Sequence, residues 1–171
     1  MSSSFLIRDE TRDDVAAITE LTVAAFETLA ISSHTEQYIV EALRAAGALA
    51  VSLVAVRDRR VVGHIAFSPV EMSDGTPEWY GLGPVSVLPE LQRQGIGKAL
   101  IQEGLSRLKR LGARGCCLVG HPEYYRKFGF VNTPELGLAG VPSEFFFALS
   151  FDGEVPQGSV SFHEAFQADG T

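Results

Sequence analysis

At 171 residues, with 46% hydrophobic and 20% charged side chains, the chain can bury a core without disulfides or metals and has an ordinary globular composition. Its formal net charge of −7 argues against a nucleic-acid binder, which would carry a basic face, and is compatible with a cationic acceptor such as an amine. No apolar run reaches membrane-spanning length, and Met1-Ser2-Ser3-Ser4-Phe5 has neither the basic nor the apolar region of a signal peptide, so a cytoplasmic protein without a membrane partner is expected.

In chain order, Phe5-Leu6-Ile7-Arg8 suits a first strand, and Thr11-Arg12-Asp13-Asp14 supplies a cap and an acidic first turn. Val15, Ile18, Leu21, Thr22, Ala25 and Phe26 recur at helical spacing, and Ile31-Ser32-Ser33-His34 breaks that helix. A second helix is predicted from Thr35 to Ala46 on the stripe Tyr38, Ile39, Ala42 and Leu43, ended by Gly47. Leu49 to Val56 and Val61 to Val70 read as strands about the polar turn Arg57-Asp58-Arg59-Arg60. Met72 to Pro77 is loop chemistry before a strand that begins near Trp79. A long helix from Gly95 to Leu111 carries Leu100, Ile101, Leu105, Leu108 and Leu111, and Gly112 stops it. Gly115 to Val119 is a strand, parallel to the one containing Val85 because a helix separates them. Pro122 to Phe128 is a short helix with Pro at its first position. Glu144 to Phe151 is the last clear strand, and the tail from Gly158 to Phe166 fits either a strand or a terminal arm. Cys116 and Cys117 alternate across a strand and read as buried reduced thiols, so no metal site is expected. Neither repeats nor linkers interrupt the pattern. One α/β domain is predicted over residues 1–171, with a core of about 5–150 and a C-terminal arm of 151–171.

The chemistry concentrates between Val85 and Leu100. Val85 and Val87 are β-branched at alternate positions, as in a half-buried strand, and Pro89 ends that strand because it has no donor for a ladder. Gly95 and Gly97 let the main chain approach a ligand closely. The helix that starts there leaves its first N–H groups unpaired, which makes an anion site, and Arg93 and Lys98 add positive charge. A P-loop is excluded by Gln92 five positions before Gly97 and by Ala99 in place of a hydroxyl. A dinucleotide fingerprint is excluded by Leu100 where its third Gly belongs. What remains is Gln92-x-x-Gly95-x-Gly97.

That pattern resembles the pyrophosphate loop of the GNAT acetyltransferases, and Tyr124-Tyr125-Arg126-Lys127-Phe128-Gly129-Phe130 resembles a second segment of the same family. Both stand in the family's order, with a helix and a strand between them. The phrases Val62 to Val70, Tyr80 to Val87 and Val160 to Phe166 are similar to the YhbS-like branch. The resemblance implies a mixed central β-sheet flanked by helices, with two parallel strands splayed at a bulge. It implies acetyl-CoA as cosubstrate, held by Val85, Ser86 and Val87, by the turn Gln92, Arg93, Gln94, Gly95, Ile96, Gly97 and Lys98, and by Tyr125 and Phe128. It also implies acetyl transfer to a primary amine of a small molecule or protein by direct attack on the thioester, and leaves room for a homodimer. A non-catalytic acyl-CoA-binding module with the same fold is the alternative.

Such a reaction needs a proton acceptor, an oxyanion donor and a general acid. Tyr125 matches the family's acid, and a main-chain N–H near Val87 is the expected oxyanion donor. Where histone-type relatives carry a catalytic Glu, this chain has Gly81. The candidates for the base are therefore Glu36, His34, Glu71, Glu78 and His64, or a water chain to a remote carboxylate. Trp79, Tyr80, His64 and Phe67 are candidates to line an acceptor pocket, and His121 is expected to orient the short helix.

Overall fold

The computed structural model describes residues 4–27, 29 and 32–171. Its first strand, β1 (Leu6–Asp9), leads to a capping box in which the Asp14 carboxylate accepts from the Thr11 N–H at 2.7 Å and pairs with Arg8 at 2.7 Å. That cap starts helix α1 (Val15–Phe26), followed by α2 (Glu36–Ala45). Of the predicted helix break, Ile31 lies outside the described residues. Gly47, at φ 68°, terminates α2 as expected.

Strands β2 (Val51–Arg57) and β3 (Arg60–Pro69) form a hairpin. Asp58 and Arg59 both sit at positive φ, 51° and 64°, so the turn has two residues where the composition suggests four. Then come β4 (Glu71–Met72), β5 (Trp79–Val87), α3 (Ile96–Arg110), β6 (Gly115–Val119), α4 (Pro122–Tyr125), β7 (Leu136–Leu138), β8 (Phe146–Ser150) and β9 (Gly158–Ser161). The strand expected to start at Glu144 starts at Phe146, after a short 3-10 turn at Ser143–Phe145. The tail does both things its sequence allows. Gly158–Ser161 pairs between β4 and β7, and the turn Glu164–Gln167 then packs on α2 through Ala165 and Phe166.

The main sheet has the order β1-β2-β3-β5-β6-β8, and a smaller sheet the order β4-β9-β7. All neighbours in the main sheet are antiparallel except β5 and β6. Helix α3 covers one face, where Ile96, Leu100, Ile101 and Leu108 meet Leu53, Ile65 and Phe67. Helices α1 and α2 cover the other, where Ile18 and Val40 meet Val54. Cys116 belongs to the first core and Cys117 to a second, so the two thiols do point apart, and burial raises the pKa of both.

Candidate active site

Parallel β5 and β6 are paired only over Trp79–Gly81 and Gly115–Cys117. Past that point β5 slips against β3. Between the pairs Phe67–Leu82 and Ile65–Val85 stand one residue of β3, Ala66, and two of β5, Gly83 and Pro84. This β-bulge bends the strand, while β6 stays with β8 as far as Val119–Phe146. The Leu88 N–H donates to the Val62 carbonyl at 3.0 Å. By antiparallel alternation, Ser86 and Leu88 turn their main-chain groups to β3, and Val85 and Val87 turn theirs to the edge that β6 has left. Ser86 is therefore misassigned by its motif. Its main chain is committed to the ladder, and its side chain is 1% exposed in the layer beneath the N-terminal helices.

At the end of β5 the chain makes a 3-10 turn, and Arg93 and Gly95 take positive φ, 65° and 90°. Gly95 is the N-cap of α3 without a side-chain cap bond, so the N–H groups of Ile96, Gly97 and Lys98 have no carbonyl within the helix. Arg93, Gln94 and Lys98 are exposed around them, whereas the Ile96 side chain is buried in the core. Gln92 faces back, its Nε2 donating to the Val87 carbonyl at 3.2 Å, and so ties the turn to the strand. A Cβ on Gly97 would lie 3.5 Å from Tyr124 Oη and 3.8 Å from Val87 Cγ2. Strand end, turn and α4 thus meet at one point.

Tyr125 stands at the fork. A Cβ on Gly120 would come within 2.2 Å of Tyr125 Cε2, so the ring rests against bare main chain at the end of β6. Tyr124 and Phe130 meet it edge-on, with ring centres 4.9 and 6.2 Å away. Burial, with the neighbouring Tyr124, pushes the Tyr125 phenol up to about 12, which keeps it a proton donor at neutral pH. Phe128 stands behind Tyr124 at 5.5 Å, and the Lys127 ammonium sits 4.3 Å over the Tyr124 ring. The fork opens on a cleft of about 360 Å³. Leu82 to Val85, Val119 and Tyr125 line it, together with Phe26, Glu36 and Ile39 from the N-terminal helices and Phe162 and Phe166 from the tail.

Residues 48–132 match the model of the acetyltransferase (GNAT) domain. The sequence is 36% identical to the Escherichia coli K12 N-acetyltransferase YhbS over 126 residues, 73% of this chain and 72% of that one. The chain belongs to the GNAT family of N-acetyltransferases. A GNAT acetyltransferase from Brucella melitensis, solved with acetyl-CoA, is 48% identical, with a TM-score of 0.86 over 96% of this chain and 99% of that one. Escherichia coli YhbS, solved with CoA, is 30% identical, with a TM-score of 0.90 over 99% and 96%. The mixed sheet with its splayed strands is therefore the GNAT fold.

Within this GNAT chain the candidate bases separate cleanly. Glu36 lines the cleft, and the Ser32 hydroxyl donates to its carboxylate, lying 2.8 and 2.7 Å from the two oxygens. His34 is exposed, at φ 60°, and opens on a different depression. Glu78 is exposed at the far end of β5, where its carbonyl accepts from the Arg114 N–H. Glu71 is exposed and faces a separate hollow beside Ser161 and His163. His64 is wholly buried and hydrogen-bonded to Ser52 at 2.8 Å, and the Ser52 hydroxyl donates to Glu10, which also holds Arg44. Desolvation lowers the His64 pKa to about 4, against the pull of Glu10. It is a neutral core histidine.

One further expectation needs correction. Trp79 and Phe67 do not line the cleft: both are buried core residues, Trp79 packed where Gly115 leaves room and Phe67 under α3. Tyr80 is half-buried against the main core. His121 orients α4 as expected, its carbonyl accepting from the Tyr124 and Tyr125 N–H groups. Sequence reasoning missed Gly120, Phe26, Phe162 and Phe166. Gly120 carried a usable signal, a glycine directly between a strand and the tyrosine segment; the three phenylalanines carried none.

Proposed function

We propose that the protein transfers the acetyl group of acetyl-CoA to a primary amine, and that residues 1–171 act as one catalytic domain in the cytoplasm. The observation that carries this is the fork itself. Val85 and Val87 present main-chain groups along an edge abandoned by β6, in line with the free N–H groups that begin α3. An added strand of pantetheine amides satisfies the first set, and a pyrophosphate satisfies the second. Arg93 and Lys98 add charge beside the phosphates, and Gly97 admits them close to the helix start. Gln92 acts by shaping the turn. The relatives solved with acetyl-CoA and CoA support the same cosubstrate.

In the reaction the amine nitrogen bonds to the thioester carbon and the C–S bond breaks. Of the two protons the ammonium loses, one leaves through a base to solvent and one ends on the departing thiol through Tyr125. Burial keeps the Tyr125 phenol protonated at neutral pH, so it is present in the form that can donate as charge develops on the departing sulfur. The N–H of Val87 is positioned by alternation to stabilise the oxyanion. Calorimetry with acetyl-CoA tests the cosubstrate, and the absence of binding at high micromolar ligand would refute it. Tyr125→Phe is expected to lower turnover by about 10²-fold or more, the usual range for a general acid, while leaving acetyl-CoA affinity within a few-fold. Equal loss of both would make Tyr125 a binding residue only.

A further inference from the structure

We propose that the acceptor is a monoamine with an apolar body, its ammonium held and deprotonated by Glu36 and its body packed against Phe26, Phe162 and Phe166. This rests on the acetyltransferase reading above and assigns the half of the reaction that reading leaves open. Among the described residues that line the cleft, Glu36 is the only charged side chain. A polyamine or an aminoglycoside brings several cations into such a space with one carboxylate to meet them. An amino acid brings a carboxylate with no cation opposite it. Either leaves a desolvated charge unpaired, which is costly. A single ammonium on a hydrocarbon or aromatic body leaves nothing unpaired.

The shape agrees with the charge. Phe162 and Phe166 are 5.2 Å apart, and Phe166 is anchored with Ile39 and Leu43 of α2 in one cluster. The tail and the helix that carries Glu36 therefore form one side of the cleft together. A Cβ at Gly81 would lie 3.2 Å from Val70 and 3.5 Å from Phe162. The position occupied by a catalytic Glu in histone-type relatives is thus packed beneath Phe162, and the carboxylate comes from α2 instead. Ser32 is a positioning residue, since its hydroxyl donates to that carboxylate and fixes its orientation. A volume of about 360 Å³ lies at the small end of ligand sites, which run from about 300 Å³ upward.

In the reaction Glu36 takes the first proton from the ammonium and passes it to solvent. The freed amine attacks the thioester carbon, and the thiol is released.

The test follows free CoA thiol at fixed acetyl-CoA with 2-phenylethylamine, hexylamine, spermidine and phenylalanine, alongside calorimetry with acetyl-CoA alone. The two apolar monoamines are expected to exceed spermidine and phenylalanine in kcat/KM by about 10²-fold or more, the scale set by an unpaired polar group in a site. Glu36→Gln is expected to remove most of that activity, and Ser32→Ala to lower kcat more than it raises KM, both with acetyl-CoA affinity within about twofold. Phe162→Ala is expected to raise KM for 2-phenylethylamine with less effect on hexylamine. Faster turnover of spermidine or phenylalanine overturns the assignment, as does an active Glu36→Gln variant. Acetyl-CoA binding without turnover of either monoamine also overturns it and leaves the cosubstrate untouched. Failure of acetyl-CoA to bind overturns the acetyltransferase reading itself.

Discussion

Replacing Gly120 by Ala isolates the placement of Tyr125 from its chemistry. The new Cβ would stand 2.2 Å from Tyr125 Cε2 and 2.6 Å from Cδ2, where ordinary contact begins at 3.4 Å. Gly120 lies outside the left-handed region, so alanine adds no backbone strain there. The ring must retreat by about 1 Å, and it is hemmed in by Tyr124 and Phe130. Overpacking of this kind costs about 1–3 kcal/mol of stability, which a domain of ordinary stability survives. A misplacement of about 1 Å near reacting groups costs about 10²-fold in rate. Turnover by thiol release at saturating substrates should therefore fall by about that factor, while calorimetry shows acetyl-CoA still bound. Tyr125→Phe added to Gly120→Ala should cost little more, because the hydroxyl is already out of place and the two changes act on one group. Turnover within twofold of wild type, or a double variant that loses the full product of both effects, would refute the reasoning.

Two other outcomes follow from the same geometry. Gly97→Ala meets only ordinary contacts, at 3.5 and 3.8 Å, within the protein, so thermal stability should hold or rise slightly. Acetyl-CoA should bind about 10- to 100-fold more weakly by calorimetry, the loss of one hydrogen bond to a charged group; unchanged affinity would move the phosphates away from this turn. His64 should make stability fall as pH drops. The unfolded chain takes up its proton near pH 6.5, whereas the folded chain does so only near 4. Between those values the unfolded state binds more protons, so acidification favours it, by about 2 kcal/mol between pH 7 and 5. Urea unfolding at the two pH values measures this, and His64→Gln should flatten the difference. The lowered carboxylates Glu10 and Asp14 act below that window.

Much of the fold was legible because its signals are local. Helix stripes, the Thr11 cap, Gly47 and the strand–turn–helix around Gly95 each depend on neighbours within a few residues, and apart from the short strands β4 and β7, which periodicity does not mark, the strands and helices appear within a few positions of where it puts them. The tighter turn at Asp58-Arg59 escaped because neither residue is the Gly or Asn that usually marks positive φ. His64 escaped for the opposite reason. A histidine in an apolar strand has the same sequence signature whether it faces a pocket or the layer beneath a helix. Here its pairing opposite Ser86 and Val54 turns it to the buried side.

Taken by itself, the order of residues located the glycine turn at Gly95, the strand before it and the tyrosine segment that resembles the family's, because each is written along one short segment. Only the tertiary structure decided what the turn belongs to. Two residues, Gly83 and Pro84, against one of β3 part β5 from β6, and nothing local to either strand says that the other will stay with β8. Glu36, Tyr125 and Phe162 come to one cleft from two helices and a tail. Their meeting depends on which face each element buries, a property of packing rather than of any motif. That Glu36, and not His34, Glu71, Glu78 or His64, lines this cleft was therefore out of reach until those faces were paired.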